Sequence, residues 1–137
     1  MHKVLLFALM LFTFSTNAQV IKLRAKKSAF IEYEKKRKVK WNESDFLIII
    51  NTTDKKITFY SDDKREFSYY KTIKIPEDTS KSSDTYGSTT LQFKCIDVEG
   101  KECNITLAAL DKKQSSYNSR VCLLYSSYAL MVDVNPE

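Results

Sequence analysis

Leu91-Gln92-Phe93-Lys94-Cys95-Ile96-Asp97-Val98-Glu99-Gly100-Lys101-Glu102-Cys103-Asn104-Ile105-Thr106-Leu107 largely alternates apolar and polar residues on either side of a short polar break. Period two is the side-chain spacing on one face of a strand, so Leu91, Phe93 and Cys95 share a face, as do Cys103, Ile105 and Leu107. Between them, Val98-Glu99-Gly100 fits a three-residue hairpin loop. Its last residue must be left-handed, a conformation that glycine enters without steric cost. The register that follows sets Asp97 opposite Lys101 as a cross-strand charge pair, and Cys95 opposite Cys103.

The same period recurs in both directions. Phe46-Leu47-Ile48-Ile49-Ile50 is a short continuous apolar run, read as a strand covered on both faces. Asn51 to Asp54 forms a turn cluster, Ile57-Thr58-Phe59-Tyr60 resumes the strand pattern, and Ser61-Asp62-Asp63-Lys64 turns the chain again. From Phe67 to Ile75, alternation puts Phe67, Tyr69, Ile73 and Ile75 on one face and Ser68, Thr72 and Lys74 on the other. Pro76 ends the run because it cannot donate to a ladder. Val121–Tyr125 and Tyr128–Val134 read as one bent strand or two short ones about Ser126-Ser127. The expectation is a mainly β, single-domain antiparallel sandwich or barrel-like fold of about six or seven strands. A short N-terminal helix competes with a strand before Trp41: Phe30, Tyr33 and Arg37 share a helical face, but Ile31 and Tyr33 also alternate with Glu32 and Glu34.

Three segments are expected. Residues 1–18 read as a cleaved export signal: His2 and Lys3, an apolar run from Val4 to Phe12, then Thr16-Asn17-Ala18. The run is too short to span a bilayer, so no transmembrane anchor is expected. Residues 19–40 form a basic segment with nine Lys or Arg against Glu32 and Glu34, and residues 41–137 form the β domain. Export implies a periplasmic or secreted protein. Its one histidine, His2, lies in the signal, so the mature chain lacks the commonest general base and metal ligand.

Export also makes disulfide formation plausible chemistry for Cys95, Cys103 and Cys122. Three thiols leave three outcomes open: Cys95 with Cys103, a bond to Cys122, or none. A catalytic thiol is not expected, since no imidazole or helix start is there to lower its pKa. Ser80-Lys81-Ser82-Ser83 lacks anything to desolvate the lysine. Glu77, Asp78 and Asp84 lack the ligand spacing of a calcium loop, and the chain's two glycines make no phosphate cradle. Asn42, Asn51 and Asn104 head glycosylation triplets read as chance matches. No metal, cofactor or enzymatic activity is expected.

Tyrosine gives large contact area at low entropic cost, and Tyr86 and Tyr117 stand in polar stretches where packing explains them less well. They are the candidate partner-binding residues, with the basic block Lys35-Lys36-Arg37-Lys38 as a second candidate. Few aromatics accompany that block and no base-reading motif does, so nucleic acid is not an expected partner. The reading that follows is a non-catalytic binding protein of the cell envelope, its partner a protein or envelope component. The alternative is an exported inhibitor or immunity-type protein.

Overall fold

A twisted sheet that is apolar on one face can bury it by stacking on a second sheet or by curling until its edge strands pair. Here the sheet curls. The computed structural model describes residues 19–35, 39–76, 89–110 and 117–137. Among them are β1 (Val20–Glu32), β2 (Trp41–Asn51), β3 (Lys56–Tyr60), β4 (Arg65–Ile75), β5 (Thr90–Asp97), β6 (Glu102–Ala109), β7 (Ser119–Leu124) and β8 (Tyr128–Pro136). Each strand pairs antiparallel with the next, and β8 returns to β1 to close an up-and-down barrel.

The count is eight rather than six or seven, and the described residues contain no helix. The ambiguous stretch before Trp41 supplies the difference. Val20 to Glu32 is the closing strand, paired with β2 on one side and with β8 from Leu23↔Pro136 to Glu32↔Tyr128 on the other. Arg24 and Glu137 clamp the seam at 2.9 Å, and the Glu137 amide donates to the Lys22 carbonyl at 3.0 Å. Half of the basic segment is therefore barrel wall, with Lys22 and Arg24 facing outward between buried Ile21, Leu23 and Ala25.

Alternation predicts the core well where strands are regular. Ile48, Ile50, Ile57, Phe59, Phe93, Ile105, Val121, Leu123, Val132 and Val134 are all within 1% of complete burial. Their aromatics meet edge-on: Phe59 and Phe67 have ring centres 5.6 Å apart, Tyr69 and Phe93 5.0 Å. The run Phe46–Ile50 is not covered on both faces. Ile48 and Ile50 face inward, while Leu47 and Ile49 are only half-buried on the outer side.

Bulges break the alternation. In β4 the ladder to β5 runs Tyr69↔Cys95 and then Lys71↔Lys94, leaving Tyr70 as an extra residue. One extra residue exchanges the two faces of everything beyond it. Thr72 and Lys74 thus lie opposite Phe93 and Leu91, and Ile73 and Ile75 turn outward, against the sequence expectation. A second shift at Lys26 turns Ala29 outward and brings Ser28 and Phe30 onto the inner side, opposite Val132 and Leu130.

The outer surface alternates accordingly. Lys22, Arg24, Lys56, Glu66, Lys94 and Glu102 occupy outward positions on five strands. This is the reverse of a transmembrane barrel, which carries its apolar band outside. No helix among the described residues is long and apolar enough to cross a membrane.

Candidate functional site

The inward-facing positions turn polar at one end of the barrel. Past Phe67 the next inward residue of β4 is Arg65; past Cys95 in β5 it is Asp97. Past Leu123 in β7 it is Tyr125, and before Leu130 in β8 it is Tyr128. The turns β3–β4, β5–β6 and β7–β8 meet there and frame a hollow of about 440 Å³ lined by these four residues, Phe67 and the rim residues Lys64, Glu66, Val98, Glu99 and Lys101.

The β5–β6 hairpin has the predicted geometry. Gly100 is left-handed at φ 84°, its amide donates to the Asp97 carbonyl at 3.0 Å, and Asp97 pairs with the Lys101 backbone at 2.9 Å. The expected charge pair takes another form. Asp97 Oδ1 accepts from the Glu99 and Lys101 amides, each at 2.9 Å, while Lys101 Nζ lies 3.8 Å from Glu99. Oδ2 accepts the Tyr125 hydroxyl at 2.7 Å. That bond, with the amide bonds, holds the Asp97 carboxyl below its ordinary range. Burial, then the hydrogen bond to Asp97, pushes the Tyr125 phenol well up.

Arg65 is organised by aromatics. Its Nη2 donates to Tyr128 Oη at 2.6 Å, and its guanidinium carbon sits 5.8 Å from the Tyr125 ring centre and 6.0 Å from those of Phe67 and Tyr128. Tyr125 and Tyr128 stack at 4.9 Å, and Phe30 packs against Tyr128 at 5.1 Å. Burial opposes the arginine's charge, but the two phenols outweigh it and hold the cation above its ordinary value. Among the described residues, no carboxylate lies within 4 Å of Arg65. On its other side Arg65 borders a more open hollow whose rim carries Glu43, Asp45, Asp62 and Asp63.

Cys95 and Cys103 lie directly opposite each other beneath the hollow, as expected. No disulfide joins them; all three cysteines are free thiols. Cys95 Sγ donates to the Phe93 carbonyl at 3.4 Å. The hydrogen bond between the two thiols, and then burial, push Cys95 well up, whereas the bonds from Cys95 and Tyr125 lower Cys103 against its burial. Cys122 faces the other way. It sits opposite Thr106 and Met131 on the outer wall, on the other face of the sheet from Cys95 and Cys103. Burial raises its thiol.

Of the other candidates, Tyr117 and Lys35 are described and neither lines this hollow. Tyr117 is half-buried rather than exposed and precedes β7 at the opposite end of the barrel. Lys35 follows β1 and pairs with Glu32 at 3.3 Å. Tyr86, Lys36, Arg37 and Lys38 lie outside the described residues. Sequence reasoning missed Arg65 and gave Tyr125 and Tyr128 no special weight. The available signal was parity: each continues an inward-facing series at the end of a strand, where a core would have placed another aliphatic residue.

Compared with known proteins, the chain matches no family model, no curated protein and no solved structure.

Proposed function

We propose that this chain is a small exported binding protein of the cell envelope that acts without catalysis, through the mouth of its barrel. One observation carries the reading: four strands send Arg65, Asp97, Tyr125 and Tyr128 into a hollow of about 440 Å³. That size is within the range of small-ligand pockets, and pockets of this kind combine an apolar wall with a few aimed polar groups. The fully buried Phe59 and Phe93 below fill the barrel's interior, so the ligand stays at the mouth. Export rests on residues 1–18, and the non-catalytic assignment on a mature sequence without histidine.

The inhibitor or immunity reading draws on the hairpin tip, where Val98 is 79% exposed beside the same hollow. An apolar side chain on a tight, preorganised turn suits insertion into an enzyme cleft.

The test is a chemical-shift titration of the isotope-labelled mature chain with envelope extract, separated into small-molecule and macromolecular fractions. Shifts confined to residues 64–67, 97–101 and 125–128 support a binding mouth, and the active fraction separates a small ligand from a target protein. Shifts elsewhere, or none, overturn it.

A further inference from the structure

The donors and acceptors at the mouth do not balance, and the imbalance identifies a ligand. A guanidinium has five N–H donors and no acceptor, so in the 2.6 Å contact Arg65 donates and Tyr128 Oη accepts. The Tyr128 hydroxyl proton is then directed elsewhere, and no described residue accepts it. Arg65 spends its remaining contacts on the Tyr125 phenol and on ring faces rather than on a carboxylate, with N–H donors left over. Two donors, one of them charged, therefore stand side by side over an aromatic wall.

Asp97, the inward-facing acid of the hollow, is committed elsewhere. Its Oδ1 takes two amides and its Oδ2 takes the Tyr125 hydroxyl. The rim charges cancel in pairs, Lys64 with Glu66 at 3.2 Å and Lys101 with Glu99 at 3.8 Å.

We infer that the mouth binds a monocarboxylate attached to a compact aromatic or branched apolar group, with Arg65 and Tyr128 donating to its oxygens and the body of the ligand against Tyr125 and Phe67. This rests on the reading of the mouth as a binding site. Planar, bidentate recognition by arginine matches a carboxylate, and such charge-assisted bonds strengthen where aromatic walls exclude water. Asp62 and Asp63, on the far side of Arg65, repel polyanions, which sets phosphate and nucleic acid apart from a single carboxylate. A free organic acid and the C-terminus of a peptide share this chemistry.

The experiment titrates the folded mature chain with phenylacetate, its neutral isostere phenylacetamide, inorganic phosphate, and a short peptide ending in Phe with a free carboxylate. Saturable shifts at residues 65, 125 and 128 are expected with phenylacetate or the peptide, whichever is the natural source. The amide should bind about tenfold more weakly or worse, the loss of one charge-assisted hydrogen bond. Arg65→Gln should abolish binding. Tyr128→Phe, which keeps the ring stacking and removes one donor, should weaken it severalfold with an otherwise unchanged spectrum. Equal affinity for acid and amide, displacement by phosphate, indifference to both variants, or no saturation by either carboxylate overturns the inference. Localised shifts from envelope extract that survive Arg65→Gln would overturn it while leaving the binding reading standing.

Discussion

Two arginines of this barrel sit against aromatic rings, and they are used differently. Arg120 lies on the outer wall, 4.8 Å from the Trp41 ring centre, and bonds Asp133 twice, at 2.7 and 3.3 Å. Asp133 is only 3% exposed, under a cover that includes Ala29 and Trp41, with Lys27 over the indole at 5.2 Å. The charge there is closed off. Arg65 at the mouth has the aromatic partners without the carboxylate. The first arrangement holds the wall together, and the second keeps a cation and a phenol proton available. A largely buried arginine with its acid is a structural element; one held by π faces and phenols alone is a candidate for recognition.

The largest effect should come from opening the outer pair. Asp133→Ala removes the buried acid of this pair from beside a largely buried Arg120 and should lower unfolding stability by about 3 kcal/mol, read from denaturant titration. Replacing both, Arg120→Met with Asp133→Leu, should recover most of that loss, because a matched apolar pair costs no desolvation. A double variant no more stable than the single would mean that the wall depends on Arg120 for more than this pair.

Next is the hairpin that presents Asp97 to the mouth. An added Cβ at Gly100 meets nothing within 4 Å, so only the backbone at φ 84° resists substitution. Gly100→Ala should cost about 1–2 kcal/mol with the fold retained. A much larger loss would show that the turn matters through contacts as well as conformation.

Arg65→Gln should cost less, about 1 kcal/mol, the scale of a partly exposed cation over aromatic rings. Thermal melts of this variant beside Asp133→Ala measure the contrast directly, and losses of equal size would end the distinction between a structural and a recognition arginine.

The smallest effect concerns pH. The folded state depresses the Asp97 carboxyl through Tyr125 and the turn amides, so its contribution is present above the unfolded pKa of about 3.9 and is lost as pH falls through the lower folded value. The stability gap between wild type and Asp97→Asn should be widest above pH 4 and narrow in more acid solution. Glu137, depressed by its hydrogen bond to Arg24, adds a similar acid-sensitive term at the β1–β8 seam, and Glu137→Gln serves as the control far from the mouth. A gap independent of pH would mean that Asp97 acts through shape rather than charge.

The regular stretches of this chain carry their structure in one-dimensional pattern. The register Cys95↔Cys103, the left-handed Gly100 and the inward series on β3, β5 and β6 follow from a period of two and one turn rule, because strand geometry is local. The run at Val121–Val134 resolves into two strands about Ser126-Ser127, one of the two forms its pattern allowed. What depended on distant partners was not legible. Val20–Glu32 is a strand because β2 and β8 both lie beside it; its own alternation is as compatible with a helix. The bulges at Lys26 and Tyr70 exchange faces because closing eight strands demands local bending, and no residue type at those positions announces it. The face on which Cys122 stands was likewise set by the sheet, which puts it on the outer wall while Cys95 and Cys103 face inward. The mouth site belongs to the same class. Arg65, Asp97, Tyr125 and Tyr128 come from four strand ends as far as 63 residues apart, and only the closed barrel brings them into one hollow. Pattern along the chain sets which way a side chain points; closure of the sheet sets what it meets there.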